Sequence, residues 1–163
     1  MNPLNVLSQH VVAEVMENPG SGQKSLHSLR SFKKGDVINP FSARETTSSP
    51  SYLTVQVDVR KHILLDPLFL QYINHGCDPN VFFDTTSMFL IALKNIRVGD
   101  ELMFFYPSTE WHMVQPFECN CGSPKCLGII KGASHIPEGI LKRYRLTDFI
   151  QQQLHERTRK ARA

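Results

Sequence analysis

The sequence predicts a mainly β fold with short helices, an α+β class, and three observations carry that prediction. Ten Pro and nine Gly are spread along 163 residues, which suits many short elements joined by turns rather than a helical bundle. Residues 52–59 (YLTVQVDV) alternate branched or apolar side chains with Thr, Gln and Asp, the period of a half-buried strand. From Ile136 onward Leu141, Tyr144, Phe149, Ile150 and Leu154 fall at spacings that suit helix, and Pro137 fits a first helical position.

Residues 4–16 (LNVLSQHVVAEVM) carry a strand-like run around Val11, Val12 and Val15, which Asn18-Pro19-Gly20-Ser21-Gly22 ends. Lys33-Lys34-Gly35-Asp36 is a turn leading into a short strand, and residues 42–51 are polar and turn-rich, a surface loop. Residues 62–65 pair with the 52–59 strand as a hairpin. Residues 81–83 and 88–93 form further short strands, and Arg97-Val98-Gly99-Asp100 turns the chain into an apolar strand at 101–106. The middle thus reads as a β-meander and the C-terminal region as two short helices.

With 41% hydrophobic and 20% charged residues, the chain can bury one core but not two. No run approaches the roughly 18 apolar residues of a membrane span, and residues 1–16 lack a basic start followed by an apolar stretch. The expectation is a soluble, intracellular protein, nuclear and cytoplasmic being indistinguishable. The net charge of +3 owes much to Arg157, Arg159, Lys160 and Arg162. Those residues read as a frayed, solvated tail; nucleic-acid contact through them lacks the aromatic interleaving that would support it.

Two segments carry the chemistry. Asn74-His75-Gly76-Cys77-Asp78-Pro79-Asn80 packs amides, an imidazole, a thiol and a carboxylate around a backbone-fixing proline. Taken alone it is an Asx-and-Pro turn. Residues 118–128 (ECNCGSPKCLG) add three thiols in the spacing C-x-C-x4-C. Four cysteines are too few for a disulfide scaffold, which points to a reducing compartment. Zinc prefers tetrahedral thiolate sites, and Cys77 is the only cysteine left to join Cys119, Cys121 and Cys126. The bland alternative, three reactive thiols near solvent without metal, would be a liability.

These segments resemble known motifs. NHGCDPN resembles the NHSCxPN motif of SET domains, GDELMFFY at 99–106 their GEELTFDY strand, and CNCGSPKCLG their post-SET CxCGxxxCxG motif. With the Gly20 loop and Ser51-Tyr52-Leu53, the likeness spans roughly residues 18–130. It implies a SET-domain β-clip with a pseudoknot over residues 1–115, a post-SET zinc knuckle at 116–130 and a C-terminal helical extension with a basic tail at 131–163. It also implies protein-lysine N-methyltransferase activity with S-adenosylmethionine, one structural zinc ion, and a lysine-containing protein substrate such as a histone.

Residue by residue, the resemblance places Asn74 and His75 on the cofactor, Tyr72 packed beside it, Gly20 and Gly22 in a glycine loop approaching it, and Leu127 over the adenine. Tyr106 matches the catalytic tyrosine, Tyr52 a second channel tyrosine, and Phe104 the position that tunes methylation state, where Phe leaves room for di- or trimethylation. The residue types suit the chemistry. A lysine with a pKa of about 10.4 must lose a proton before attacking a methyl group, and a dry aromatic channel favours that loss. The sequence departs from the family pattern at Gln71, where many members carry Arg beside the cofactor, and at Gly76, commonly Ser. It departs also at Phe105, often Asp, a change expected to reshape the peptide groove. A catalytically silent SET-like interaction module stabilised by zinc is the alternative.

Overall fold

The computed structural model describes residues 2–163. Strands β1 (Asn5–Gln9) and β2 (Ala13–Glu17) form an antiparallel hairpin, and β3 (Lys24–Ser28) pairs with the other edge of β2. The run at 4–16 is thus two strands rather than one, because the His10 N–H donates to the Ala13 carbonyl at 2.9 Å where the chain reverses. The turn at 18–22 forms as the sequence indicates. Asn18 Oδ1 accepts the Gly20 N–H at 2.9 Å, and Gly22 takes φ +72°, a conformation open to glycine.

β4 (Val37–Pro40) follows the predicted Gly35 turn. Residues 42–51 correct the loop expectation, since they contain β5 (Ser42–Thr47). Five of its six side chains are exposed, so its composition is polar, while its backbone pairs with β7 (Lys61–Asp66) in the order β5-β7-β6. Backbone pairing alone leaves no hydrophobic signature. β6 is Thr54–Asp58, so Tyr52 lies in the preceding turn rather than in the strand.

β8 (Asn74–His75) follows a 3-10 turn at Leu68–Tyr72, and β9 (Val81–Asp84) and β10 (Phe89–Ala92) join β4 in the order β4-β10-β9. The segment 101–106 yields only β11 (Met103–Phe104), which runs parallel to β8. Its partner is two residues long, so the ladder stops there and Tyr106–Ser108 tighten into a 3-10 turn. A parallel pair requires a crossover rather than a hairpin. The middle is therefore a set of small sheets and not a meander. β12 (Phe117–Glu118) and β13 (Ile129–Ile130) clamp the ends of the cysteine loop.

The C-terminal segment holds α1 (Glu138–Leu141) and the 14-residue α2 (Asp148–Ala161), started by Thr147, whose side chain accepts the Ile150 N–H. The basic tail is helical rather than frayed. Arg157 donates to the Ser134 and Ile136 carbonyls and lies 5.6 Å from the Trp111 ring, and Arg159 pairs with Glu156 at 2.7 Å.

Three apolar clusters organise the molecule. The largest gathers Val15, Leu26, Ile63, Leu70, Phe83 and Leu90 from the sheets; a second packs Phe105, Leu141, Phe149 and Ile150; a third holds Cys77, Cys119 and Ile130. Phe104 belongs to the first and Phe105 to the second, as side-chain alternation along an extended segment dictates. Phe105 is buried and stacks on Tyr144 at 3.7 Å with the rings 6° apart. The aromatic side chain at this position therefore docks the C-terminal helices onto the sheets instead of shaping a peptide groove.

Candidate active site and metal centre

The parallel β8–β11 pair positions the site. It sets Asn74 beside Met103 and His75 beside Phe104, and the Gly76 N–H donates to the Phe104 carbonyl at 3.0 Å. A Cβ on Gly76 would meet the Met103 side chain at 3.2 Å, which accounts for glycine where serine is common. His75 Nδ1 accepts the Tyr106 N–H at 3.1 Å, and Nε2 lies 3.3 Å from Cys77 Sγ. An acceptor at Nδ1 puts the ring proton on Nε2, which donates to the sulfur. Burial pulls the His75 pKa down to about 4, so the neutral ring persists at physiological pH.

The sulfur atoms of Cys77, Cys119, Cys121 and Cys126 all lie within 4.8 Å of one another, with Cys77 and Cys119 3.9 Å apart. A zinc–sulfur distance of about 2.3 Å in a tetrahedron places sulfurs about 3.8 Å apart, so the donor set fits zinc. Burial raises the Cys77 thiol above its usual range and the Cys119 thiol to about 11. A divalent cation offsets that by binding the thiolates. The Leu127 N–H points to Cys77 Sγ at 3.4 Å, the Tyr144 hydroxyl donates to the Cys77 carbonyl at 2.7 Å, and positive φ is taken by Gly122, between Cys121 and Cys126, and by Gly128, just after Cys126.

Two cavities flank Tyr106. One, of about 520 Å³, is lined by Asn74, His75, Glu101, Met103 and Glu118, together with Gln23 from the β2–β3 turn. The other, of about 320 Å³, is lined by Tyr52, Phe83, Phe104 and Leu70. Tyr106 and Phe117 line both. Phe104 meets Phe83 edge-on at 4.9 Å and Tyr106 at 4.6 Å. The Tyr106 hydroxyl donates to the Ile73 carbonyl at 3.4 Å. Burial, with the charges of Glu110 and Glu101, pushes its pKa up to about 12. The hydroxyl is therefore protonated at neutral pH.

Some predicted site residues converge and others do not. Asn74, His75 and Tyr106 meet at the first cavity, while Phe104, Tyr106 and Tyr52 meet at the second, with Tyr52 at its mouth and 75% exposed. Gly20 and Gly22 sit in the exposed β2–β3 turn, whose contribution to the cavity lining is Gln23. Tyr72 packs half-buried against the main cluster, with the Lys24 ammonium 5.5 Å from its ring. Leu127 lines a third cavity beside Cys77, Lys94 and Tyr144 and is not among the residues lining the first. Gln71 lies on the aromatic cavity rather than beside Asn74 and His75. Glu110, on the aromatic cavity, escaped the sequence reading, because a lone Glu after a strand carries no local signal.

The first cavity has the size of a small-molecule site, and its two carboxylates, Glu101 and Glu118, suit a positively charged ligand. Asn74 Nδ2 donates to the Lys24 carbonyl at 2.8 Å, which turns the amide and ties the β3 backbone to the cavity wall.

The SET domain model matches residues 14–107. "Methyltransferase flvH" of Aspergillus flavus is 37% identical over 132 residues, covering 80% of this chain and 74% of that protein. The "Histone-lysine N-methyltransferase, H3 lysine-36 specific" of Aspergillus oryzae is 34% identical over 68 residues, 38% of this chain and 7% of that much longer protein. Among solved structures, KRYPTONITE in complex with mCHG DNA and SAH superimposes with a TM-score of 0.57 at 19% identity, covering 75% of this chain and 30% of that one. A structure addressing the product specificity of histone lysine methyltransferases gives a TM-score of 0.50 at 21% identity, covering 73% and 56%. These two structural likenesses show the fold. Among the described residues no helix is long and apolar enough to cross a membrane.

Proposed function

The chain belongs to the SET-domain family, and from that premise we propose that it transfers methyl groups from S-adenosylmethionine to the side-chain amine of a lysine in a protein substrate, adding two or three. One observation carries this reading: Tyr106 and Phe117 are common walls of a polar, acidic cavity and an aromatic one. A cationic methyl donor and a lysine side chain can then meet across Tyr106 from opposite sides.

When bound, S-adenosylmethionine supplies an electrophilic methyl on a cationic sulfur. Glu101 and Glu118 provide negative potential on its side of Tyr106, where Asn74 and His75 also line the cavity. On the other side Phe104 and Tyr106 strip water from the amine, which lowers its pKa, and confine it to an in-line approach. The Tyr106 hydroxyl stays protonated and presents a fixed dipole where charge redistributes. Phe104 brings no hydroxyl to this cavity, which would leave room for an amine that already carries a methyl. Cys77, Cys119, Cys121 and Cys126 would hold a zinc ion that braces the Asn74–Asn80 loop against the 117–130 hairpin. A histone is one candidate substrate, a suggestion supported by the histone-modifying relatives.

The test is transfer of a labelled methyl group to core histones and to a whole-cell lysate by the wild type and Tyr106→Phe. Label from the wild type that falls by about 100-fold in the variant, with the melting temperature held, is the expected result. Absence of label with every substrate would favour the silent module instead.

A further inference from the structure

Of the residues lining the aromatic cavity, Glu110 is the only one with a formal charge at neutral pH. The backbone fixes it at both ends: its N–H donates to the Tyr106 carbonyl at 3.0 Å, and its carbonyl accepts the Ala133 N–H at 2.9 Å. Its Oε2 accepts the Gln56 N–H from β6 at 3.0 Å and the Thr109 hydroxyl. Oε1 accepts no hydrogen bond among the described residues. Oε1 is not among the buried unpartnered atoms and so faces the open cavity, where a cation that displaces water would meet its charge among apolar side chains. The rings of Tyr52, Phe104, Tyr106 and Phe117 supply further cation-attracting faces.

We propose that Glu110 is the counter-ion and proton acceptor of the substrate amine: its Oε1 receives the ammonium of the entering lysine and takes the proton that amine must lose. The inference rests on the methyltransferase reading above. An N–H bond of the ammonium breaks and an O–H bond forms at Oε1. The freed nitrogen lone pair forms the new N–C bond while the methyl–sulfur bond breaks, its electron pair remaining on sulfur. The proton then leaves Glu110 for solvent at the cavity mouth, beside Tyr52 and His112. Burial raises the Glu110 carboxyl to about 7, so it can accept a proton and release it near neutral pH. The titratable groups facing it are Tyr106 beside it and Tyr52 and His112 along the cavity, with Gln56 opposite and Arg157 behind Trp111.

The test follows n-butylammonium, a stand-in for the lysine side chain, by the fluorescence of Trp111, the single tryptophan and the neighbour of Glu110. Glu110→Gln keeps an acceptor for the Gln56 and Thr109 donors and removes the charge. The wild type is expected to bind about tenfold more tightly at pH 8.5 than at about pH 5.5, and Glu110→Gln to bind weakly without pH dependence. Equal affinity and pH profile in the two proteins, or no binding to the wild type, would overturn the proposal. A second readout needs no variant: the carbon-13 titration midpoint of the Glu110 carboxyl should fall by about one pH unit in saturating n-butylammonium, and an unmoved midpoint would also overturn it. If cation binding depends on Glu110 while no methyl transfer occurs with any substrate, the cation site stands and the methyltransferase reading falls.

Discussion

The backbone N–H of Tyr106 donates to Nδ1 of His75 at 3.1 Å, which leaves the Nε2 proton of the same ring for Cys77 Sγ at 3.3 Å. One imidazole thus ties the tyrosine at the junction of the two cavities to a member of the four-cysteine cluster. Hydrogen bonds that orient a ligand sulfur typically change metal affinity by about 10-fold or more. His75→Ala is expected to weaken zinc binding by that factor in competition with a chromophoric chelator, and to slow methyl transfer with it. Unchanged affinity would make the sulfur contact incidental.

Elemental analysis should find one zinc per chain. The four sulfurs join residue 77 to residues 119–126, so stripping the metal should release the cysteine hairpin from the Asn74–Asn80 loop. A strong chelator or Cys77→Ser is expected to lower the melting temperature by about 10 °C or more. Purified protein without metal and with an unchanged melting curve would remove this centre.

Phe104 is 8% exposed and lies 4.6 Å from Tyr106, ring to ring. Adding a hydroxyl there fills the space a methylated amine needs and offers that amine a hydrogen bond that holds it in place. Phe104→Tyr should shift the product ladder towards monomethyl-lysine, read by mass spectrometry of the substrate. A ladder identical to wild type would displace Phe104 from the product-controlling role.

Glu110 makes stability depend on pH. Its folded pKa of about 7 lies above the ordinary value of 4.5, so the folded state binds the proton more tightly than the unfolded state. The favourable contribution is complete below about pH 4.5, declines as pH rises towards about 7, and is gone above it. Relative to wild type, Glu110→Gln should therefore gain stability with rising pH across that window, by at most about 3 kcal/mol. Parallel pH profiles of melting temperature would contradict this.

Legibility in the sequence followed the physics of each part. The four-cysteine cluster could be read because four thiols leave one combination, and the paired strands β6 and β7 because branched and apolar side chains recur along both. β5 was illegible for the converse reason, its exposed side chains leaving only a backbone ladder. Asn74, His75, Phe104 and Tyr106 carry the motif likeness, and the β8–β11 pair brings them together. Gly20 and Gly22 carry a turn signal in the sequence, and the segment that follows them meets the cavity at Gln23. Glu110 depends on a carboxylate meeting the backbone of residue 56 across 54 positions, and no local pattern encodes that. The helical course of the basic tail depends likewise on Arg157 finding Trp111 and two carbonyls far upstream.

The shared wall of Tyr106 and Phe117 also bears on the order of events over several turnovers. On the function proposed above, a spent methyl donor would depart from the first cavity and a fresh one arrive there while the modified side chain stays in the aromatic cavity. Successive modifications of one residue would then proceed within a single encounter with the target protein. Partly modified intermediates would stay scarce in solution even while unmodified target is abundant.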